Sequence, residues 1–480
     1  MSRVLNAIAR HAVDKPETVA LSTRTLSLTY GALEAEIQRA ATALFAFAPL
    51  VRPGAPIAVR LANGPAWVIL DLALMRLGWP SLPLPGFFTP AQREHALADA
   101  GATLLVEEGE GGFEILGTPI AVTPCATAPV ALPTGTAKIT YTSGSTGQPK
   151  GVCLSQEQME TTAGALVEAI GADYAGLHLP LLPLSILLEN VAGLYPILLA
   201  GGRYHVLPAA ELGLDNPFRP DLAALAAAIA AEHATSLIVV PELLRALLMV
   251  MTFTGARFPD LNLVAVGGAK VSSQLLSKAD ALGLPVYEGY GLSECASVVA
   301  LNTPSARKAG AVGKPLSHLS VTIDGEGEII VSPRPFLGYA GREPHQGAVH
   351  TGDLGSLDAE GFLRIEGRRT NTIITAFGRN VAPEWVESEL LAQPEIRQAV
   401  VFGEAQAALG ALIVPLIPDM DEASIAQAVA RANLALPDYA QVKRWQVRAP
   451  FDPAEGELTN NGRPRRAVLL SRHSDFIQAS

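Results

Sequence analysis

The stretch "ITYTSGSTGQPKGV" at residues 139–152 is built mostly from Ser, Thr and Gly and carries one Lys near its end. "KITY" (138–141) reads as a strand, so the loop leaves a strand's C-terminal end. Gly144 and Gly147 let the backbone turn sharply and come close to an anion. Backbone N–H groups and the hydroxyls of Thr142, Ser143, Ser145 and Thr146 are donors suited to phosphate oxygens, and Lys150 supplies a cation. The GxxxxGK(S/T) phosphate-loop pattern is absent, because Pro149 precedes the Lys and Gly151 follows it. No GxSxG elbow is centred here, so serine-hydrolase chemistry is not indicated. Composition alone also fits a flexible surface turn; the order of the residues says more.

That order, "YTSGSTGQPKGV", resembles the phosphate-loop signature of adenylate-forming enzymes: acyl-CoA synthetases, aryl-CoA ligases, peptide-synthetase adenylation domains and luciferases. Further segments follow in the order of that family. "EGYGLSE" (288–294) resembles its adenine and magnesium motif. The resemblance implies that Glu288, Gly289 and Tyr290 border the adenine, with Tyr290 stacked on it. It implies that Ser293, usually Thr, touches the α-phosphate and that Glu294 holds Mg2+. An aromatic face and a hard carboxylate oxygen suit those roles. "HTGDLG" (350–355) resembles the ribose motif through Asp353, and Arg368 in "GRR" resembles the second ribose contact. "GAVGKP" (310–315) matches a family segment, as does "GGA" (267–269), whose Gly268 and Ala269 border the acid pocket by resemblance.

The resemblance covers nearly the whole chain. It implies attack of a carboxylate on the α-phosphorus of ATP, giving acyl-AMP and pyrophosphate. The acyl group then passes to a thiol of CoA or of a carrier-protein pantetheine. ATP, Mg2+ and an apolar carboxylic acid are the implied ligands, with CoA or an acyl carrier protein as the implied acceptor. The small C-terminal domain would turn about Thr370 between the two half-reactions, bringing Gly378 to the acyl-adenylate.

Two places depart from the family pattern. Its last motif, roughly T-x-x-G-K, reads here "ELTNNGRPRR" (457–466), with Arg463 where Lys is usual. Arg463 keeps the charge but offers a planar fork in place of a compact ammonium. Three readings stand: Arg463 substitutes, Arg465 or Arg466 takes over, or adenylation is crippled and the chain is a low-turnover nucleotide binder. Secondly, "LPLSILLENVAG" (182–193) resembles a long-chain synthetase segment, but Ile186 replaces its gating aromatic or His. Lys270, where Pro is common, reads as a solvated surface charge, with pairing to a carboxylate as the alternative. The pocket stretches are mostly apolar and small, which suits an aliphatic tail at about 0.8 kcal/mol per buried methylene. An aromatic acid, or an amine acceptor, is the alternative.

These residues need a large scaffold. The chain has 480 residues, 49% hydrophobic and 17% charged, enough for two or three domains with extensive cores. The net charge of −11 argues against a nucleic-acid binder. Cys125, Cys153 and Cys295 form no CxxC pair, and there is no HExxH. The N-terminal stretch lacks a long apolar run, so no secretory signal is read and a cytoplasmic location is expected. The apolar run at 177–202 is broken by Pro180, Pro183, Glu189, Asn190 and Pro196, which argues for burial and against an integral membrane segment. "PIAVRL", "ATLLVE", "SLIVVP" and "LNLVAVGG" read as buried strands alternating with helices such as "WVILDLALMRLG" and "DLAALAAAIAAEH". "VTIDGEGEIIVS" reads as a hairpin turning at Asp324-Gly325. The expected fold is therefore α/β: a large N-terminal domain (1–369) of layered mixed and parallel sheets with helices, and a small α+β C-terminal domain (370–480) joined by a hinge. In the latter, "TIITAF", "QAVVFG", "ALIVPLI" and "VKRWQV" read as strands, and Pro383 starts a helix.

Overall fold

The computed structural model describes residues 2–142, 149–215, 220–453, 455–459 and 463–478. Two sheets dominate the first 370 residues. In one, the strands Arg203–His205, Leu177–His178, Ser236–Val239, Leu263–Val266 and Val286–Tyr290 run parallel side by side. All four residues of "SLIV" are buried, as expected of a parallel strand covered on both faces. In the other sheet, Ser81–Pro83, Ile57–Arg60 and Leu104–Glu108 are parallel. The antiparallel pair Thr136–Thr142 and Lys150–Ser155 joins their edge. Helices cover both sheets, among them Pro65–Leu77 and Gln156–Ile170. The expected strands and helices are present within a few residues, as are the N-terminal helix Arg3–Asp14 and the hairpin Ser320–Ile323 with Glu328–Ser332.

From residue 373 on, the apolar clusters are separate from those of the preceding chain. Ile396–Phe402 pairs antiparallel with Leu409–Pro415, which pairs parallel with Val442–Val447, under the helices Pro383–Leu391 and Glu422–Asn433. The "TIITAF" strand is shorter than expected. Only Ile373–Ile374 pairs, with Asn380–Val381, because the chain turns at Gly378 with φ +67°. Polar bonds tie this unit to the larger one. Ser272 Oγ donates to Glu389 Oε2 at 2.9 Å, Gln393 Nε2 to Gln274 Oε1 at 3.0 Å, and Arg245 to the Leu391 carbonyl at 2.7 Å.

One buried charge organises the floor of the two-sheet unit. Lys138, 2% exposed, opens the strand that leads to the Ser/Gly loop. Its ammonium donates to Asp71 Oδ1 at 2.7 Å, to Tyr195 Oη at 3.1 Å and to Asn190 Oδ1. Asp71 Oδ2 accepts from Asn190 at 3.1 Å and from Tyr195 at 2.7 Å. Burial pushes the Lys138 pKa down and Asp71 opposes that shift. Breaking a buried pair by removing one partner strands the other charge, at about 3–5 kcal/mol. Asp71→Asn is therefore expected to lower the unfolding free energy by at least about 3 kcal/mol. A chemical-denaturation curve with an unchanged midpoint would contradict that.

Candidate active site

The strand ends of both sheets, the following loops and the C-terminal segment surround one cavity of about 3080 Å³. In open α/β sheets, the carboxyl ends of the strands are where ligands bind. Thr142 and Lys150 face each other across the antiparallel pair, at the two stems of the Ser/Gly loop, and both line the cavity. Ser143, Gly144, Ser145, Thr146 and Gly147 lie outside the described residues.

The strand Val286–Tyr290 delivers Glu288, Gly289 and Tyr290 to the cavity, and the turn beyond it delivers Ser293 and Glu294. That turn is tightly built. A Cβ on Gly291 would lie 1.7 Å from the Ser297 carbonyl oxygen, while Ala296 and Ser297 have φ +51° and +93°. Backbone strain of this kind concentrates at functional sites. Cys295 is 1% exposed, a small buried residue as expected.

Asp353 comes from the strand Val349–Leu357 and Arg368 from its neighbour Leu363–Arg368, where the two are register partners. Asp353 Oδ1 accepts from Arg368 Nε at 2.8 Å and Oδ2 from the Tyr290 hydroxyl at 2.6 Å. Burial first, then the Asp353 charge, push the Tyr290 phenol far up, so it remains a donor. Gly268 and Ala269 follow the strand Leu263–Val266 into the cavity, Gly268 with φ +87°. Arg463 reaches across from the C-terminal unit and donates Nη2 to the Gly268 carbonyl. Its guanidinium is open to the cavity yet ringed by protein. Desolvation lowers its pKa, Glu242 opposes this and Arg368 adds to it. Arg466 is committed elsewhere, to Glu387 at 2.5 Å and the Val401 carbonyl. The cavity thus gathers the described site residues except Gly378, which is exposed on its hairpin and does not line it.

Three participants were not legible. Tyr339 donates to Glu294 Oε1 at 3.0 Å, and its ring lies 5.5 Å from the Lys150 ammonium. It sits in a "LGYAG" stretch that carries no motif signal. Glu242, at the start of the helix Pro241–Thr254, is the anion that most strongly opposes the Arg463 shift. Lys270 corrects an expectation. It is half-buried rather than solvated, donates to the Ile365 carbonyl at 2.7 Å, and lies near Glu288.

Glu288 is 6% exposed. Burial pushes its carboxyl up to about 7, against the charge of Lys270 and a hydrogen bond from the Val271 backbone. Between the ordinary carboxyl pKa and about 7, the folded chain keeps a proton that the unfolded chain has lost. Stability from this group is therefore lost as pH rises through that window. Relative to the parent, Glu288→Gln should be more favourable at pH 8 than at pH 5 by about 2–3 kcal/mol. Unfolding curves at both pH values give that difference directly; a difference of zero or of opposite sign would refute the burial argument.

The family model for AMP-binding enzymes matches residues 8–335, and that for the AMP-binding enzyme C-terminal domain matches 370–480. The long-chain-fatty-acid–CoA ligase FadD15 of Mycobacterium bovis is 36% identical over 245 residues, 44% of this chain and 41% of that protein. The chain thus matches less than half the length of that relative. A 2-succinylbenzoate–CoA ligase of Geobacillus kaustophilus is 31% identical over 442 residues, 84% of this chain and 85% of that protein. The solved structure of O-succinylbenzoate coenzyme A synthetase (MenE) from Bacillus subtilis in complex with AMP has a TM-score of 0.76 at 25% identity, covering 96% of this chain and 97% of that one. With both family models matched in order and the motif residues gathered on one cavity, the chain belongs to the AMP-binding enzyme family, within the adenylate-forming superfamily.

Proposed function

We propose that the protein is an ATP-dependent acid–thiol ligase acting on an apolar, fatty-type carboxylic acid. The acid's carboxylate oxygen attacks the α-phosphorus of ATP and pyrophosphate leaves. A thiol of CoA or of carrier pantetheine then attacks the acyl carbon, AMP leaves, and the thiol proton passes to solvent. No protein nucleophile is required; the chain's task is to hold two anions together and offset their charge.

The observation that carries this reading is that one cavity joins a charged wall to an apolar annex. Lys150, Arg368 and Arg463 line the wall, with Glu294 and Asp353. Ile186, Leu188, Ala192, Ile197, Val298 and Leu301 line the annex. In this proposal Lys150 and the Ser/Gly loop orient the outer phosphates, while Tyr290 and Asp353 hold the nucleoside. Ser293 donates to the α-phosphate. Glu294 would hold Mg2+, a role its hard oxygens fit, and the ion when bound offsets phosphate charge. Tyr339 fixes the Glu294 carboxylate through its hydroxyl. The part 370–480 acts as a mobile domain pivoting near Thr370, which would carry Arg463 away and bring Gly378 in.

Of the three readings of the last motif, substitution by Arg463 has the most support. Arg463 reaches the Gly268 carbonyl, whereas Arg466 is bound inside its own unit. The relatives' names point both ways, to a long-chain fatty acid over 44% of the chain and to 2-succinylbenzoate over 84%, so the aliphatic reading rests on the apolar lining of the cavity.

ATP–pyrophosphate exchange with Mg2+ across fatty, aromatic and amino acids is the direct test. Exchange that depends on fatty acids is expected. Tight ATP binding with no exchange for any acid would favour a low-turnover binder instead. In the same assay Arg463→Ala should lose about 100- to 1,000-fold in rate, the scale of a lost charge-stabilising donor. A loss under threefold would remove Arg463 from the reaction.

A further inference from the structure

The apolar annex contains one polar row that the adenylation chemistry does not use. Parallel pairing sets His178 beside Ser236 and Ser236 beside Leu263; one step along, Ile238 stands beside Ala265. Strand side chains alternate, so Ser236, Ile238, Leu263 and Ala265 share one sheet face. All of them, with His178, line the cavity. Gly193 of the π-helical turn Asn190–Leu194 comes close to His178. Such turns occur often at functional sites.

His178 is the centre of the row. Its Nδ1 lies 2.9 Å from Ser236 Oγ and its Nε2 lies 2.9 Å from Glu189 Oε1, which also accepts from Tyr204 at 3.0 Å. Ser236, His178 and Glu189 are 1%, 3% and 0% exposed. The second carboxylate oxygen, Glu189 Oε2, is buried and has no hydrogen-bond partner among the described residues. Gly193, which lines the cavity, leaves room for this group; a Cβ there would fall 2.3 Å from Glu189 Oε1 and 3.2 Å from His178 Nε2. A buried polar set with spare hydrogen-bonding capacity costs free energy against an all-apolar tail.

We infer that this row reads a hydroxyl group on the tail of the acid, so that the preferred substrate is an apolar acid hydroxylated part-way along its chain. The inference rests on the fatty-acid reading above and narrows it. Glu189 Oε1 accepts a hydrogen bond from Nε2–H of His178 in either protonation state of the ring. With neutral His178, Ser236 donates to Nδ1 and keeps acceptor lone pairs for a substrate O–H. With protonated His178, Ser236 accepts from Nδ1 and turns its own O–H to the substrate. A hydroxyl satisfies both cases, a ketone only the second. The position follows from the strand. Leu263 lies four residues before Gly267, about 13 Å at 3.3 Å per residue. An extended alkyl chain advances roughly 1.3 Å per carbon, given C–C bonds of about 1.5 Å, so the row meets roughly the tenth carbon.

The test compares octadecanoic acid with its 10-hydroxy derivative in ATP–pyrophosphate exchange by the full chain. Wild type should favour the hydroxy acid by about tenfold or more in kcat/KM, with the difference mainly in KM. Ser236→Ala should bring the ratio of the two acids to about one, and Ser236→Thr, which keeps a hydroxyl, should restore a preference. His178→Phe serves as a second variant, read by the same ratio on whatever folded fraction is obtained. A purely structural cluster would alter stability while leaving the ratio unchanged. Equal use of both acids by wild type, or an unchanged ratio in Ser236→Ala, would overturn the inference. Exchange with neither acid, despite ATP binding, would overturn the fatty-acid reading and this inference with it, a result distinct from equal use of both.

Discussion

The ammonium of Lys138 lies where water does not reach, and the fold around it is arranged to keep it neutralised. Asp71 comes from the helix Pro65–Leu77, Asn190 from the π-helical turn and Tyr195 from the helix after that turn. Lys138 itself belongs to the strand whose far end, Thr142, enters the Ser/Gly loop. A single buried charge thus ties the strand ending at Thr142 to the turn Asn190–Leu194. Buried ion pairs are poor sources of net stability because desolvation offsets most of the attraction. Here the pair has a geometric effect. Any shift of the strand relative to the turn leaves a charge or an amide unpaired in a dry interior.

The rest of the cavity follows from topology. Parallel strands finish at the same side of each sheet, and the loops beyond them meet there. The loops are then shaped by positions that admit no side chain. Gly291 closes against the Ser297 carbonyl, and Gly313 would place a Cβ 1.8 Å from the Leu301 carbonyl carbon. Such contacts make the turn around Glu294 rigid, and rigidity is what an electrostatic site requires, since a preorganised donor or acceptor does not have to reorient during reaction.

Much of this was legible in the sequence, and the reasons are local. Buried parallel strands are runs of apolar residues, so they leave a signal within a dozen residues. Asp353 and Arg368 were readable because each sits in its own short motif, although their ion pair is a property of strand register. What escaped notice is non-local. Tyr339 meets Glu294 from 45 residues away, and Lys138 meets Asp71 from 67 residues away. Lys270 looked like a surface charge because a lone Lys after "GGA" gives no sign that the strand Leu363–Arg368 folds over it to offer the Ile365 carbonyl. His178 and Glu189 were hidden for the opposite reason. Both lie inside an apolar run, where a polar residue reads as an interruption until its partners are seen.

The departure at Arg463 takes on a different weight once its surroundings are known. A lysine ammonium has three N–H donors, but all of them radiate from a single nitrogen. Arginine has five N–H donors on a planar fork. Arg463 rests Nη2 on the Gly268 carbonyl and keeps the remaining donors available. Gly268 helps: its positive φ belongs to glycine, and the site of a missing Cβ lies 3.8 Å from Arg463 Nη2, an ordinary contact distance. The bond also spans the two units of the chain, alongside Ser272 with Glu389 and Gln274 with Gln393. The planar fork spreads its donors over several nitrogens, so one can rest on the backbone while others face elsewhere. The guanidinium ties the C-terminal segment to Gly268 and places a positive charge at the cavity. The residue that departs from the motif is thus, by its geometry, a link between the C-terminal segment and the strand-end loop at Gly268.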